Sequence, residues 1–219
     1  MSIDFSSQRL SYEKGELYED NLPNAPYPLL YQWFDVAVSE QIGEAYAFTL
    51  ATCGADNRPS ARTLLMRQIV SLEHEGVGMI FYSNYDSAKG QDLLDNPYAE
   101  ALFFWEKLER QIRISGRVEK LPIAQSQAYF ASRPRSSQLA AWVSTPQSGV
   151  VANREQMDNR FFELQAYYDT QDIPKPDFWG GYQLNADRVE FWQGRANRMH
   201  DRIVYEKAAD SWKKVRLLP

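Results

Sequence analysis

The stretch YAEALFFWEKLERQIRISGRVEKL, residues 98–121, holds two runs of strand-forming residues, YAEALFFWE (98–106) and RQIRISGRVEKL (110–121), separated by a short polar break around Lys107. Aromatic and β-branched residues suit a pleated, half-buried surface. A break this short can join two strands only as an antiparallel hairpin, because a parallel crossover needs a dozen residues or more. In the second run Gln111 and Arg113 alternate with Ile112 and Ile114, so the polar and apolar pairs face opposite sides of the strand. The expectation for the middle of the chain is therefore antiparallel sheet.

The flanking segments extend that pattern. Leu29, Leu30, Trp33, Phe34 and Ala37 recur at spacings of three and four, which predicts a helix over 28–41. AYAFTLATC (45–53), SARTLLMRQIV (60–70) and GMIFYSN (78–84) read as strands, and SAKGQDLLDNP (87–97) as a short helix stopped by Asn96-Pro97. After the hairpin, PIAQSQAYFAS (122–132) reads as a helix with proline in its first turn that ends before Pro134. NREQMDNRFFELQAYYD (153–169) reads as a longer helix. A loop, DIPKPDFWGGY, leads into YQLNADRVEFWQG (182–194), expected as strand, turn, strand. EFWQGRANRMHDRIVYE (190–206) is expected as strand–loop–strand, and SWKKVRLLP (211–219) as a final strand.

Seven or eight strands with mostly short connections argue against a doubly wound parallel sheet, in which strands and helices alternate strictly. They predict a mainly β, α+β architecture: a partly closed antiparallel barrel with helical additions. Residues 1–27 are polar and read as an N-terminal arm, and 28–219 as a single domain. No G-x-G-x-x-G and no P-loop motif is present.

Composition narrows the function classes. Of the 219 residues, 44% are hydrophobic and 24% charged, the profile of a globular protein. The net charge of −5 argues against nucleic-acid binding driven by bulk charge, so any anion site must be local. Cys53 is the single cysteine, which leaves no intrachain disulfide and no cysteine-based zinc site. With no apolar leader and no run approaching a membrane span, the expectation is a cytoplasmic protein. His74 lies in a polar turn, and neither histidine sits in a pattern of metal-ligand spacing, so no metal is expected.

Local anion sites can be sought among the cations. On strand 60–70, Arg62, Leu64 and Met66 share one face and Thr63, Leu65 and Arg67 the other. Tyr82, Ser83 and Lys89 flank a turn and a helix start, where exposed N–H groups attract anions. Gln111 could read the edge of a ring with both donors and acceptors. Tyr129, Arg133 and Ser137 offer two hydroxyls and a guanidinium for one phosphate. Arg195, Arg198, His200 and Arg202 follow Trp192 in a segment suited to a flat, anionic molecule. Taken alone, each has an ordinary explanation: solvated arginines, a capped helix, a polar sheet face, a cation at a helix C-terminus. Together they point to at least two phosphate sites, hence to a phosphorylated cofactor and a phosphorylated substrate.

The motifs RTLLMR (62–67), GMIFYSN (78–84), LERQIRISGRVEKL (108–121), YFASRPRSSQLAAWVS (129–144), FWGGY (178–182) and VEFWQG followed by NRMHDR (189–202) resemble the pyridoxine (pyridoxamine) 5′-phosphate oxidase family along nearly the whole chain. The resemblance implies an FMN-binding split β-barrel, a homodimer with FMN at the subunit interface. It implies flavin contacts from Arg62, Thr63, Leu64, Leu65, Met66, Arg67, Tyr82, Ser83, Lys89, Gln111, Gln147, Ser148, Trp192 and Arg202. Arg67, Tyr129, Arg133 and Ser137 would meet the substrate phosphate. Arg198 and His200, the implied catalytic pair, would lie against the pyridine ring and its reacting carbon, and Arg9 and Tyr12 would close over the substrate. The implied reaction is oxidation of pyridoxine or pyridoxamine 5′-phosphate to pyridoxal 5′-phosphate, with dioxygen reduced to hydrogen peroxide. Two positions depart from the family pattern: Arg67 stands where lysine is usual, and Ala88 precedes Lys89 where a second cation is common. A non-catalytic binder of FMN or pyridoxal phosphate would share the fold. So would another flavin enzyme such as a flavin reductase, although SRPRSSQ and NRMHDR speak against the latter.

Overall fold

The 98–121 stretch folds as strands β4 (Tyr98–Trp105) and β5 (Arg110–Lys120), paired antiparallel with Ile112 opposite Phe103 and Ile114 opposite Ala101. These four side chains are fully buried, so the face on which Ile112 and Ile114 alternate is the core face. The structure, a computed structural model, describes residues 2–7 and 11–219. β1 (Ala47–Cys53), β2 (Pro59–Leu72) and β3 (Gly76–Asn84) precede the hairpin, and β6 (Trp179–Gln193), β7 (Asp201–Ala208) and β8 (Ser211–Leu217) follow it.

The strands run in the order β3-β2-β1-β4-β5-β6-β7-β8, and β6 also pairs with β3. That extra pairing closes β1 to β6 into a six-stranded antiparallel barrel, with β7 and β8 continuing the sheet beyond it. β6 does both jobs along one edge. Its residues Trp179–Asn185 pair with β3, and Arg188–Gln193 pair with β7, while β5 lies along its other edge from Tyr182 to Gln193. Closure removes the exposed edges that an open sheet would present.

Where the sequence suggested a turn inside 182–194, the strand instead continues through a bulge. Ser115 pairs with Arg188 but the next residue, Gly116, pairs with Ala186, leaving Asp187 unopposed. One extra residue bends the strand without ending it, and this is where β6 passes from β3 to β7. A Cβ on Gly116 would lie 2.0 Å from the Asn185 carbonyl oxygen, so only glycine lets the two backbones approach this closely.

Helix α1 (Pro26–Ser39) covers part of the barrel core, with Leu29, Leu30, Trp33 and Ala37 buried. Trp33 meets Phe191 edge-on at 5.2 Å, and Phe34 meets Phe103 at 5.1 Å and Trp105 at 5.0 Å. The helix ends as Gln41 enters the left-handed region (φ 51°) and the Ile42 N–H returns to the Ala37 carbonyl. α2 (Ala88–Asp95), α3 (Ile123–Ser132) and α5 (Arg154–Tyr167) match their expected positions to within two residues.

One further helix, α4 (Arg135–Val143), was not expected. The segment reads as a proline turn, but Pro134 stands at the N-cap and its ring blocks only the preceding helix. Helices α3 to α5 build a second, smaller core of Phe130, Leu139, Ala141, Ile173 and Trp179, with Phe161 and Leu164 of α5 packed against it. Among the described residues no helix is long and apolar enough to cross a membrane.

Gly116→Ala tests the close approach at the bulge. Forced overpacking of this kind costs about 1–3 kcal/mol, so the denaturant midpoint is expected to fall with the slope unchanged. An unaltered midpoint would mean that the strand relaxes freely there.

Candidate functional site

Cross-strand register decides which way the β2 residues point. Arg62 lies opposite Leu50 and Leu64 opposite Phe48, both core residues, so Arg62, Leu64 and Met66 face inward, while Thr63, Leu65 and Arg67 face outward. The expected division of faces is therefore the observed one. Arg62 is partly buried at the end of this face. It donates to the Leu50 carbonyl at 3.1 Å, to Thr52 Oγ1 at 2.6 Å and to Ser60 Oγ, with Asp92 at 3.7 Å.

Lys89 sits in the first turn of α2. Its Nζ donates to Ser87 Oγ at 2.9 Å and to Gln147 Oε1 at 3.4 Å. The Ala88 N–H donates to Ser148 Oγ at 3.3 Å. Ser87 caps the helix by accepting from the Gly90 N–H. Burial, and then the Arg62 charge, push the Lys89 ammonium down to about 8. Burial also depresses Arg62, against the pull of Asp92. Two cations in a partly dry corner, one of them lowered by the other, beside an amide, a hydroxyl and a helix start, form a donor set that fits a phosphate monoester.

A second cation pair lies further along β2. Thr63, Leu64, Leu65, Arg67, Tyr82, Tyr129, Arg133 and Trp179 line a cavity of about 270 Å³. Burial lowers Arg133; Tyr129 opposes this and the nearby Arg67 charge adds to it. The Arg133 Nη1 is buried without a hydrogen-bond partner. Ser137 stands close by in chain, in the first turn of α4, but not on the wall of this cavity. Ser83 is buried on β3 beside Tyr82.

The remaining candidates assemble on another part of the barrel. Gln111 on β5 lies directly opposite Trp192 on β6, which lies opposite Arg202 on β7. An amide, an indole and a guanidinium thus form one row across three strands. Glu190, two residues before Trp192 and only 1% exposed, orients this row. It accepts from Arg202 Nε at 2.8 Å and Arg188 at 2.8 Å, with Arg113 at 3.6 Å. Arg113 is also held by Glu100 through two bonds of 2.7 and 3.0 Å. The sequence reading missed Glu190. Its one signal was period two: Glu190 shares a strand face with Arg188 and Trp192.

Beyond β6 the chain turns through Asn197 (φ 56°) and Arg198 (φ 60°) before β7. Two successive non-glycine residues in the left-handed region store backbone strain, which concentrates at functional sites. Arg198 is exposed. The His200 ring lies 4.7 Å from Trp192 and 5.8 Å from Tyr12. The Arg195 N–H donates to His200 Nδ1 at 3.1 Å, which leaves the ring proton on Nε2. Burial and the Arg198 charge lower His200, against Asp201. Both effects favour the neutral ring, which in this geometry offers an Nε2–H donor. Arg195 itself is turned to Asp201 at 3.0 Å and Glu16 at 3.4 Å, so it braces the N-terminal segment. Arg9 lies outside the described residues.

The two groups do not meet within one chain. β2 and β5 stand three strands apart around the barrel in either direction. The outer face between them, on β1 and β4, carries Ala47, Thr49, Ala51 and Cys53 beside Tyr98, Leu102, Phe104 and Glu100, the last paired with Arg113, and Tyr98 and Phe104 are more than half exposed.

A closed antiparallel barrel whose sixth strand carries two further strands, flanked by small helices and paired cation clusters, defines a split-barrel protein. Residues 34–167 match the family described as pyridoxamine 5′-phosphate oxidase, and residues 179–219 match the pyridoxine 5′-phosphate oxidase C-terminal dimerisation region. A pyridoxine/pyridoxamine 5′-phosphate oxidase of Psychrobacter cryohalolentis is 56% identical over all of both chains. One of Acinetobacter baylyi is 48% identical over 99% of this chain and 97% of its own. Among solved structures, PhzG from Burkholderia lata superimposes with a TM-score of 0.84 at 29% identity, covering 93% of this chain and 98% of that one. The chain belongs to the pyridoxine/pyridoxamine 5′-phosphate oxidase family.

The Lys89 corner gives a pH prediction. In the free protein Lys89 loses its proton at about 8, whereas a bound dianion holds that proton in place. Affinity for a phosphate monoester is therefore expected to be steady below that pH and to fall above it, by at most about tenfold per pH unit. Calorimetric titration across pH 7–10 checks the limb, and Lys89→Met is expected to abolish it.

Proposed function

We propose that this chain is an FMN-dependent oxidase that converts pyridoxine or pyridoxamine 5′-phosphate to pyridoxal 5′-phosphate, and that it works as a homodimer. The observation that carries the reading is the pair of cation clusters along β2, Arg62 with Lys89 and Arg67 with Arg133: two anion sites on one rigid strand. Family membership supports the same cofactor and substrate.

In this reading Arg62, Lys89, Gln147 and Ser148 hold the FMN phosphate, and Thr63 to Met66 with Tyr82 and Ser83 line the flavin. Gln111, Trp192 and Arg202 meet the edge of its ring. Arg202 suits a polar edge better than an anion, because Glu190 already offsets its charge. Arg67, Tyr129, Arg133 and Ser137 take the substrate phosphate. Arg198 and His200 hold the pyridine ring, with the His200 Nε2–H as a donor to its substituents and the Arg198 charge facing developing negative charge. Arg9 and Tyr12 close the site. FMN held there would supply the redox chemistry, a two-electron oxidation of the substrate carbon coupled to reduction of dioxygen to hydrogen peroxide. The alcohol yields the aldehyde directly, and the amine yields an imine that water hydrolyses with loss of ammonia.

The dimer follows from the position of the two groups. The outer face of β1 and β4, apolar apart from Thr49 and the Arg113-paired Glu100, lies between β2 and β5. A second copy packed on it about a two-fold axis brings the β2 cations of one copy to the β5–β7 row of the other. The match of residues 179–219 to a dimerisation region supports a homodimer.

The purified protein is expected to be yellow and dimeric, with about one flavin per chain. Anaerobic pyridoxine 5′-phosphate should bleach it, and air should restore the colour with release of peroxide. A protein that binds FMN but is never bleached would be a binder and not an oxidase.

Arg198→Ala and His200→Ala are each expected to slow flavin reduction while FMN stays bound, since misplacing a reacting carbon by about 1 Å costs on the order of a hundredfold. Rapid-reaction measurements on FMN-saturated variants check this. Normal reduction rates in both would remove the pair from the chemistry.

A further inference from the structure

Arg133 differs in what supports it from the partly buried arginines around Glu190, and shares its kind of support with Arg110, which lies 4.6 Å from the centroid of Trp33. Arg113, Arg188 and Arg202 converge on Glu190. Among the described residues Arg133 forms no ion pair, and its Nη1 is buried without a partner. What lies beneath it is aromatic: its Cζ stands 4.7 Å from the centroid of Trp179 and 5.7 Å from that of Phe130.

Trp179 is held firmly. It is 7% exposed and opens β6 opposite Asn84. Its N–H donates to the Pro176 carbonyl at 3.1 Å, and its own carbonyl accepts from Lys175 Nζ at 2.9 Å. The two glycines that follow allow the strand to pass close behind. A Cβ on Gly180 would lie 2.0 Å from the Tyr85 hydroxyl, and one on Gly181 would lie 2.9 Å from the Tyr82 ring. The Trp179 ring is nearly parallel to Tyr129 (6.2 Å, 6°) and to Tyr82 (5.5 Å, 15°), which stack on each other at 3.8 Å. One set of aligned rings thus spans β3, α3 and the start of β6, with Arg133 over one face.

We propose that Trp179 is a positioning residue that orients Arg133 for the substrate phosphate and thereby sets the preference for phosphorylated over unphosphorylated substrate. The inference rests on the oxidase reading above. The physical reason is the difference between two kinds of support. A carboxylate fixes a guanidinium but also offsets its charge, as Glu190 does for Arg202. The negative face of an indole holds the guanidinium plane and leaves the net charge for an incoming dianion. With Arg67 as the neighbouring cation, a phosphate here meets two positive charges and no competing acid from the cavity wall.

The test is a graded series in the full-length, FMN-saturated protein: wild type, Trp179→Phe and Trp179→Leu. Two quantities are read. One is the ratio of kcat/KM for pyridoxine 5′-phosphate to that for pyridoxine. The other is the dissociation constant of inorganic phosphate, with FMN bound so that the Lys89 corner is occupied. Loss of a desolvated cation–π contact predicts a fall in the ratio of about tenfold for Trp179→Leu, mainly through KM, and about threefold for Trp179→Phe. Phosphate binding should weaken in step. A folded Trp179→Leu protein whose ratio and phosphate affinity match wild type would overturn the proposal. So would an equal loss of kcat on both substrates, the mark of a core residue only. If Trp179→Leu does not fold, an unchanged ratio and phosphate affinity in Trp179→Phe overturn it instead. A wild type that oxidises neither alcohol would defeat the oxidase reading, while the phosphate series still decides the role of Trp179.

Discussion

One edge of β6 has two partners, and the molecule is organised around that fact. Over Trp179–Asn185 the edge bonds to β3 and closes the barrel, and over Arg188–Gln193 it bonds to β7. A strand edge can satisfy only one neighbour at a time, so the chain must change partners somewhere between. The bulge at Asp187, opposite Gly116, is where it does so. If the β3 pairing were lost, the barrel would open and leave two edges. If the β7 pairing were lost, Arg202 would leave the row that Gln111 and Trp192 begin. Trp179 at one end of the strand is thus fixed by the β3 pairing, and Trp192 near the other by the β5 and β7 pairings.

Charge is distributed unevenly around this frame. On the β5–β7 side Glu190 and Glu100 hold Arg113, Arg188 and Arg202. A carboxylate as enclosed as Glu190 is tolerable only with such partners, and the arginines it holds become rigid, nearly neutralised donors. On the β2 side the cations have fewer acids near them, and burial depresses Arg62, Lys89 and Arg133. That corner is electrostatically incomplete by itself and favours an anion. The first arrangement suits a polar ring edge and the second suits phosphate. The difference lies in the neighbouring acids, since both sides use the same residue types.

The N-terminal segment is tied to the same end of the barrel as the late loop. Glu109 accepts from the Glu13 and Lys14 N–H groups at 2.7 and 2.9 Å, and Asp201 accepts from the Leu17 N–H at 3.1 Å. Asp201 also holds Arg195 and Arg216. Tyr12 reaches Trp192 and His200 because the chain on its C-terminal side is anchored in this way.

Much of the architecture was legible in local pattern. The period of two in β5, the period near 3.6 in α1 and the short breaks between runs are imposed by neighbouring residues, so they appear in any sequence that folds this way. The opposite faces of Arg62 and Arg67 followed from alternation alone. What the sequence could not supply was partnership. That Gln111, Trp192 and Arg202 stand in one row depends on register between strands some 80 residues apart in the chain, and alternation gives a face without giving a neighbour. The bulge at Asp187, the aromatic support of Arg133 and the burial of Glu190 are of the same kind. Each is decided by closure of the barrel, because hydrogen-bond register and packing, not local propensity, choose which distant side chains touch.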